Sequence, residues 1–117
     1  MPMIHLQTNV KIDDVPGFAL KLSKRASEVT GRPEGGVNVI VSQDVPMSFG
    51  GKLDPAYQCT ITLAGDIEPE AYSAGFTKFF EETLGVSGDR GVIPIIQIKG
   101  SQIGWQGKTI KSLFGLD

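Results

Sequence analysis

The sequence predicts an α+β fold: a tandem βαβ repeat whose four-stranded mixed sheet carries two helices on one face. Three observations carry that prediction. Apolar residues recur with strand-like and helix-like periods in the order strand, helix, strand, then strand, helix, strand. The two halves match at an offset of 54 residues, with Phe18 against Tyr72, Leu22 against Phe76, Ala26 against Phe80, Gly31 against Gly85 and Val39 against Ile93. Gly (15) and Pro (7) are plentiful, which suits short elements joined by tight turns. Because βαβ crossovers share one hand, two such units in one sheet place both helices on the same side.

Each element has its own signal. Residues 2–8 form a strand-like run rich in apolar side chains. Residues 13–30 read as a helix that Asp13 can cap, with Pro16 in the first turn, where its missing N–H does no harm. Val15, Phe18, Leu22, Ala26 and Val29 make one apolar stripe, and Lys21, Ser23, Lys24 and Glu28 lie mostly off it. Gly31 ends this helix and Pro33 prevents its restart. Residues 37–42 and 57–64 are strands, separated by a loop over 43–55 that Pro46, Gly50, Gly51 and Pro55 break up. A second helix spans 67–84, entered through Asp66 and Pro69, with the stripe Tyr72, Phe76, Phe79, Phe80 and Leu84. Residues 92–98 are the fourth strand. Pro94 cannot donate to a ladder, so it belongs at an edge or a bulge. The tail, 102–114, holds short apolar pieces separated by glycines. The strands read as apolar on both faces, which predicts a covered second face, and self-association is the economical cover.

At 117 residues the chain is a single domain, 1–117, with a real but modest core. It is 40% hydrophobic and 21% charged, with net charge −2 and no basic block. Nucleic acid and anionic membrane surfaces are therefore not the expected partners. The single cysteine, Cys59, excludes an intrachain disulfide and reads as a small buried hydrophobe. The first residues lack the basic and apolar regions of a signal peptide, and no apolar stretch approaches the roughly 20 residues of a membrane span. The expected compartment is the cytosol, with a leaderless route if the protein is exported. His5, the one histidine, reads as structural.

Pro2 is the candidate for chemistry. Removal of Met1 would leave a free secondary amine at the start of a buried strand. An α-amino group titrates near pH ~7.7–8. An apolar enclosure or a nearby cation moves it towards neutrality, where a general base works best. While Met1 remains, the Pro2 nitrogen is a tertiary amide and accepts no proton. The plainer alternative is that Pro2 only starts a strand.

Further along, Met1-Pro2-Met3, Thr8-Asn9-Val10, Thr30-Gly31-Arg32-Pro33, Val37-Asn38-Val39, Met47-Ser48-Phe49-Gly50-Gly51, Asp54-Pro55, Asp89-Arg90 and Ile103-Gly104-Trp105 occur in order. Together they resemble the macrophage migration inhibitory factor family of the tautomerase superfamily, from Pro2 to about Thr109. Val37-Asn38-Val39, Tyr72-Ser73-Ala74 and Gln102-Ile103-Gly104 lean towards its D-dopachrome tautomerase branch. The resemblance implies a homotrimer, with sheets around a central channel and active sites at subunit interfaces. It implies Pro2 as the base in enol–keto tautomerisation of phenylpyruvate-like or dopachrome-like substrates. No cofactor and no metal are implied.

The resemblance also assigns roles. Arg32 stands where the family usually has a lysine, and would bind a substrate carboxylate and help keep Pro2 neutral. The alternative is a surface arginine favoured by the helix dipole. Leu63 and Ala64 match positions whose backbone lines the pocket, and Ala64 replaces a larger aliphatic residue. Val92 and Pro94 replace a tyrosine and an asparagine that reach a neighbour's site in the founding branch, and Gly36 replaces a tyrosine or arginine at the rim. These departures point to weakened or redirected catalysis. Ala56-Tyr57-Gln58-Cys59 breaks the family's Cys-x-x-Cys, which removes its thiol–disulfide activity. Trp105 and Phe114 are expected in intersubunit packing, and the tail after Thr109 is expected to rim or cover the pocket. A second reading is a secreted cytokine-like protein that binds a cell-surface receptor, with Lys11 and Asp44 near the surface used. A third is a trimeric scaffold that binds a small hydrophobic acid without turnover.

Overall fold

Side-chain alternation builds the first strand of the computed structural model, which describes all residues 1–117. In β1 (Met3–Thr8) Ile4, Leu6 and Thr8 are buried, while Met3, His5 and Gln7 face the other way. Helix α1 (Val15–Thr30) begins two residues later than the sequence suggested, and its cap is Asp14, not Asp13. The Asp14 carboxylate accepts from the Gly17 N–H at 3.0 Å. Pro16 has no N–H to offer, so the third helical residue is the donor, and only Asp14 stands at the N-cap position facing it. Phe18, Leu22, Ala26 and Thr30 form the buried stripe. The Thr30 hydroxyl donates back to the Ala26 carbonyl at 2.6 Å, which satisfies it inside the core. Gly31 closes the helix in the left-handed conformation, φ 71°.

The remaining main elements are β2 (Asn38–Ser42), β3 (Tyr57–Leu63), α2 (Pro69–Leu84), β4 (Gly91–Val92) and β5 (Ile95–Gln97). The two helices have equal length and sit at the offset read from the sequence. Glu68, not Asp66, occupies the cap position of α2, and no side chain caps it. The strand order is β2-β1-β3-β4, with β5 also on β3. β1 runs parallel to β2, β3 runs parallel to β4 and β5, and β1 meets β3 antiparallel. Each βαβ unit thus supplies a parallel pair, and the pairs join at the centre of the sheet. Pro94 splits the expected fourth strand at the edge. The register is the same on both sides of it (Tyr57 with Gly91, Ile61 with Ile95), so the ladder is interrupted without a bulge. The Pro94 carbonyl still accepts from Ile61 N–H at 2.8 Å.

The core lies between the sheet and the helices. Ile4, Leu6, Cys59, Ile61 and Leu63 supply the sheet side; Phe18, Leu22, Tyr72, Phe76, Phe79 and Phe80 supply the helix side. Tyr57 and Phe80 pack at 4.5 Å between ring centroids. Each large side chain so buried contributes about 1.5–3 kcal/mol.

The other sheet face corrects the expectation of strands apolar on both sides. The paired registers place Met3, His5 and Gln7 beside Asn38, Ile40 and Ser42 on one side and Thr62, Thr60 and Gln58 on the other, with Val92 and Ile96 beyond. The centre of this face is polar. Its exposed apolar residues, Ile40, Val92 and Ile96, are confined to the two edges.

The tail is more ordered than glycine-separated pieces suggest. A hairpin of β6 (Gly104–Trp105) and β7 (Lys108–Thr109) turns through Gln106 and Gly107, both at positive φ, 57° and 73°. That pair of signs is the hairpin turn whose twist matches the strands. A short helix, α3 (Ile110–Phe114), follows, with reciprocal capping between Thr109 and Ser112. Ala64, Ile103 and Ile110 form a second small core against Met1, Met3, Ile98, Trp105 and Leu116. It ties the N-terminus, the end of β3 and the tail together. No helix is long and apolar enough to cross a membrane.

Candidate active site

Three chain segments meet at one end of the sheet: the N-terminus, the residues after α1 and the tail. Pro2 is fully buried, and its carbonyl accepts from Asn38 N–H at 3.0 Å, which fixes the start of β1 on β2. Met1 projects into a cleft of about 470 Å³ lined also by Arg32, Pro33, Gly35, Gly36, Trp105, Phe114 and Leu116. The Met1 amine is held below its usual pKa, first by burial and then by the charge of Arg32. An amine at this end of the chain therefore feels both influences that favour a neutral base.

Arg32 is not a free surface arginine. Gly31 turns the chain out of α1, and the guanidinium then crosses to the turn after β3. Nη1 donates to the Ala64 carbonyl at 2.8 Å and Nη2 to the Asp66 carbonyl at 2.9 Å. Gln97 Nε2 donates to the Gly65 carbonyl between them at 2.5 Å. The fork is thus held by neutral oxygens. Arg32 belongs to neither of the chain's two ion pairs, Arg25–Glu82 and Lys111–Asp117, so its charge is not neutralised by a carboxylate. An arginine has five N–H donors, so some remain for a ligand.

The other sequence-assigned residues divide. Ala64 is fully buried and acts through its carbonyl, which anchors Arg32. Leu63 points its side chain into the main core, its carbonyl accepts from Ile98 N–H at 2.9 Å, and it does not line the cleft within one chain. Val92 and Pro94 lie on the β4–β5 edge and do not line this cleft within one chain. Gly36 does line it. A Cβ there would approach Met1 Cα at 3.9 Å and the Trp105 ring at 4.0 Å, so its absence leaves room beside both. Trp105 and Phe114 pack on each other at 5.6 Å and form a wall of the cleft in the same chain, where intersubunit packing was expected. The tail does rim the pocket, as expected. Sequence reasoning missed Pro33 and Gly35 as lining residues, and Leu116 as a specific contact. Their only signals were a helix stop and membership of the tail.

Two polar candidates are accounted for elsewhere. Cys59 is buried and its thiol is pushed up to about 12, which leaves it unreactive. His5 Nε2 lies 3.0 Å from Ser42 Oγ, on the open sheet face. No cluster of His, Cys, Asp or Glu is placed to hold a metal ion. The cleft thus combines apolar walls, one unneutralised cation and a terminal amine drawn towards neutrality. Such a combination can accommodate a small apolar anion beside an amine.

Comparison with known proteins gives the family. The model described as macrophage migration inhibitory factor (MIF) matches residues 1–111. This chain belongs to the MIF family. It is 33% identical over 113 residues to a MIF homologue of Trichinella spiralis, covering 93% of this chain and 99% of that protein. It is 32% identical to the MIF of Rattus norvegicus, covering 93% and 98%. Among solved structures, the MIF of Trichinella spiralis superposes with a TM-score of 0.83 at 32% identity, covering 92% of this chain and 98% of that one. A MIF homologue from Prochlorococcus marinus gives 0.85 at 26% identity, over 92% and 98%. The α+β fold with its tandem repeat is the MIF fold.

Proposed function

We propose that this MIF-family protein is a tautomerase that uses the amine of Pro2, freed by removal of Met1, to interconvert the enol and keto forms of an aryl 2-keto acid such as phenylpyruvate. The observation that carries the reading is the placement of a fully buried Pro2 beside an apolar cleft that holds Arg32 without a carboxylate partner. The lowered Met1 amine in the same place supports it. Arg32 binds the substrate carboxylate with the donors left over from Ala64 and Asp66. Trp105 and Phe114 take the aromatic body. Pro2 nitrogen accepts the enol O–H proton as the C=O bond forms, and the prolinium returns a proton to the adjacent carbon. Proton number is conserved, and no metal or organic cofactor enters the scheme.

The assembly proposed is a homotrimer. The apolar edges of the open sheet face support self-association, and a neighbouring copy is the only source from which Val92 and Pro94 could reach the cleft. Both lack hydrogen-bonding side chains, so they would dry the site without orienting a substrate.

The test is tautomerisation of 4-hydroxyphenylpyruvate by protein whose mass shows loss of Met1. Pro2→Gly is expected to fold normally and lose about 10²–10⁴-fold in kcat, the usual worth of a positioned base. Equal turnover by the two proteins would refute the proline mechanism.

A further inference from the structure

Two parallel strands end side by side next to Arg32. β5 pairs with β3 as far as Gln97 opposite Leu63, and Ile98 N–H closes the pair on the Leu63 carbonyl at 2.9 Å. Alternation puts Gln97 on the same face as Ile95, which packs on the core, so an amide stands where an apolar side chain is the rule. That amide makes one hydrogen bond. Gln97 Nε2 donates to the Gly65 carbonyl at 2.5 Å, in the turn that follows β3. The carbonyls on either side, Ala64 and Asp66, accept from Arg32 Nη1 and Nη2 at 2.8 and 2.9 Å. Three successive carbonyls are thus divided between one amide and one guanidinium. Gly65 has φ 85°, and a Cβ on it would stand 3.1 Å from Nη2 and 3.4 Å from Nη1, so the guanidinium lies directly against this glycine. The same Cβ would meet the Leu116 side chain at 3.2 Å, and the Leu116 carbonyl in turn sits against buried Gly100, where a Cβ would collide with it.

We propose that Gln97 is the positioning residue for Arg32: it locks the turn Ala64–Asp66 in the shape that offers two carbonyls to the guanidinium, and so aims the remaining donors at a carboxylate in the cleft. The inference rests on the proposed site only for the role of Arg32 as the cation that meets a carboxylate. A glycine at positive φ has several turn conformations open to it, so Gly65 does not hold its neighbours by itself. The Gln97 amide fixes the peptide plane between Gly65 and Asp66, and with it the spacing of the flanking carbonyls. Arg32 has no carboxylate partner to hold it instead. Without that spacing its long side chain regains rotamers, and ordering it again on a ligand costs affinity. Gln97 does not line the cleft, so it acts on a ligand only through Arg32.

The probes are 3-phenylpropanoate and its uncharged amide, 3-phenylpropanamide, which differ only in the group that Arg32 would meet. Trp105, the only tryptophan, lines the cleft and reports binding by its fluorescence. Wild type is expected to bind the acid about 10-fold more tightly than the amide, the worth of a hydrogen bond to a charged group. Gln97→Met keeps the length of the side chain and removes the donor; Gln97→Ala removes both. In each, that ratio is expected to fall to about 2, with affinity for the amide within about 2-fold of wild type. In an Arg32→Met background, Gln97→Met is expected to change neither affinity, because its effect passes through the missing guanidinium. Equal weakening of acid and amide would show a merely structural role and overturn the proposal. A further loss of acid binding in the Arg32→Met background would overturn it as well. No acid preference in wild type would sink it together with the carboxylate role of Arg32. A preference kept by both Gln97 variants, in a protein that turns over 4-hydroxyphenylpyruvate, would overturn this inference alone. No turnover by wild type, with the ratios as expected, would refute the tautomerase reading and leave this one standing.

Discussion

Tyr57 holds the one buried side-chain polar atom without a hydrogen bond, its phenolic oxygen. Burial pushes this phenol above its usual pKa; the Thr77 hydroxyl opposes that shift less strongly, without reaching good hydrogen-bond geometry. A buried, unpaired hydroxyl costs about 1–3 kcal/mol. Tyr57→Phe keeps the ring against Phe80 and removes that cost. The variant is expected to gain about 1 kcal/mol, read as a higher urea midpoint at unchanged slope. A lower midpoint would show that the hydroxyl is paired after all. Arg32 illustrates what is legible at this scale. The family resemblance carried by Thr30-Gly31-Arg32-Pro33 marked it as the cation of the site. That its fork is already fastened to Ala64 and Asp66 was not visible, because those carbonyls are more than thirty residues away.

Elements follow local rules where local chemistry suffices. Asp13 and Asp14 are both good capping residues, and composition does not choose between them. Pro16 does, through its missing N–H, which leaves Gly17 as the donor and Asp14 as the acceptor. Asp14→Ala is expected to cost about 1 kcal/mol, and Asp13→Ala to stay within about 0.5 kcal/mol, in thermal melts of the two variants. Equal losses would place the cap elsewhere. The edge position of Pro94 was legible in the sequence, but the interruption of the last strand there was not. Nor was the character of the open sheet face. Within Val37-Asn38-Val39-Ile40-Val41-Ser42, Val39-Ile40-Val41 reads as a continuous apolar run, but Val39 and Val41 pack on the core while Ile40 is 51% exposed. Apolar count conceals alternation when one outward residue is itself apolar.

Ile40 at one edge of the sheet and Ile96 at the other frame a polar middle. Such an arrangement suits copies that meet edge to edge, leaving the polar middle towards a shared channel. Contact between two different edges is head-to-tail, and it closes into a ring when the rotation fits. Ile40→Asp is expected to convert the proposed trimer to particles of 12.5 kDa by light scattering at micromolar concentration. A trimer that survives this change would move the interface off the β2 edge.

The sequence by itself determined the repeat, the sheet with helices on one face, the family resemblance and the two groups proposed to carry the chemistry, Pro2 and Arg32. These rest on periodicity, turn residues and ordered motifs, all written locally along the chain. Tertiary structure alone decided which residues surround those groups. Leu63 turns into the core, Trp105 and Phe114 join one wall within a single chain, and Leu116 reaches Gly65 across the whole second repeat. A cleft of this kind is closed by contacts between distant segments, and these depend on how the small core docks the tail. Local pattern does not encode that docking, because glycines at 65 and 100 reveal their purpose only when another backbone or side chain lies against them.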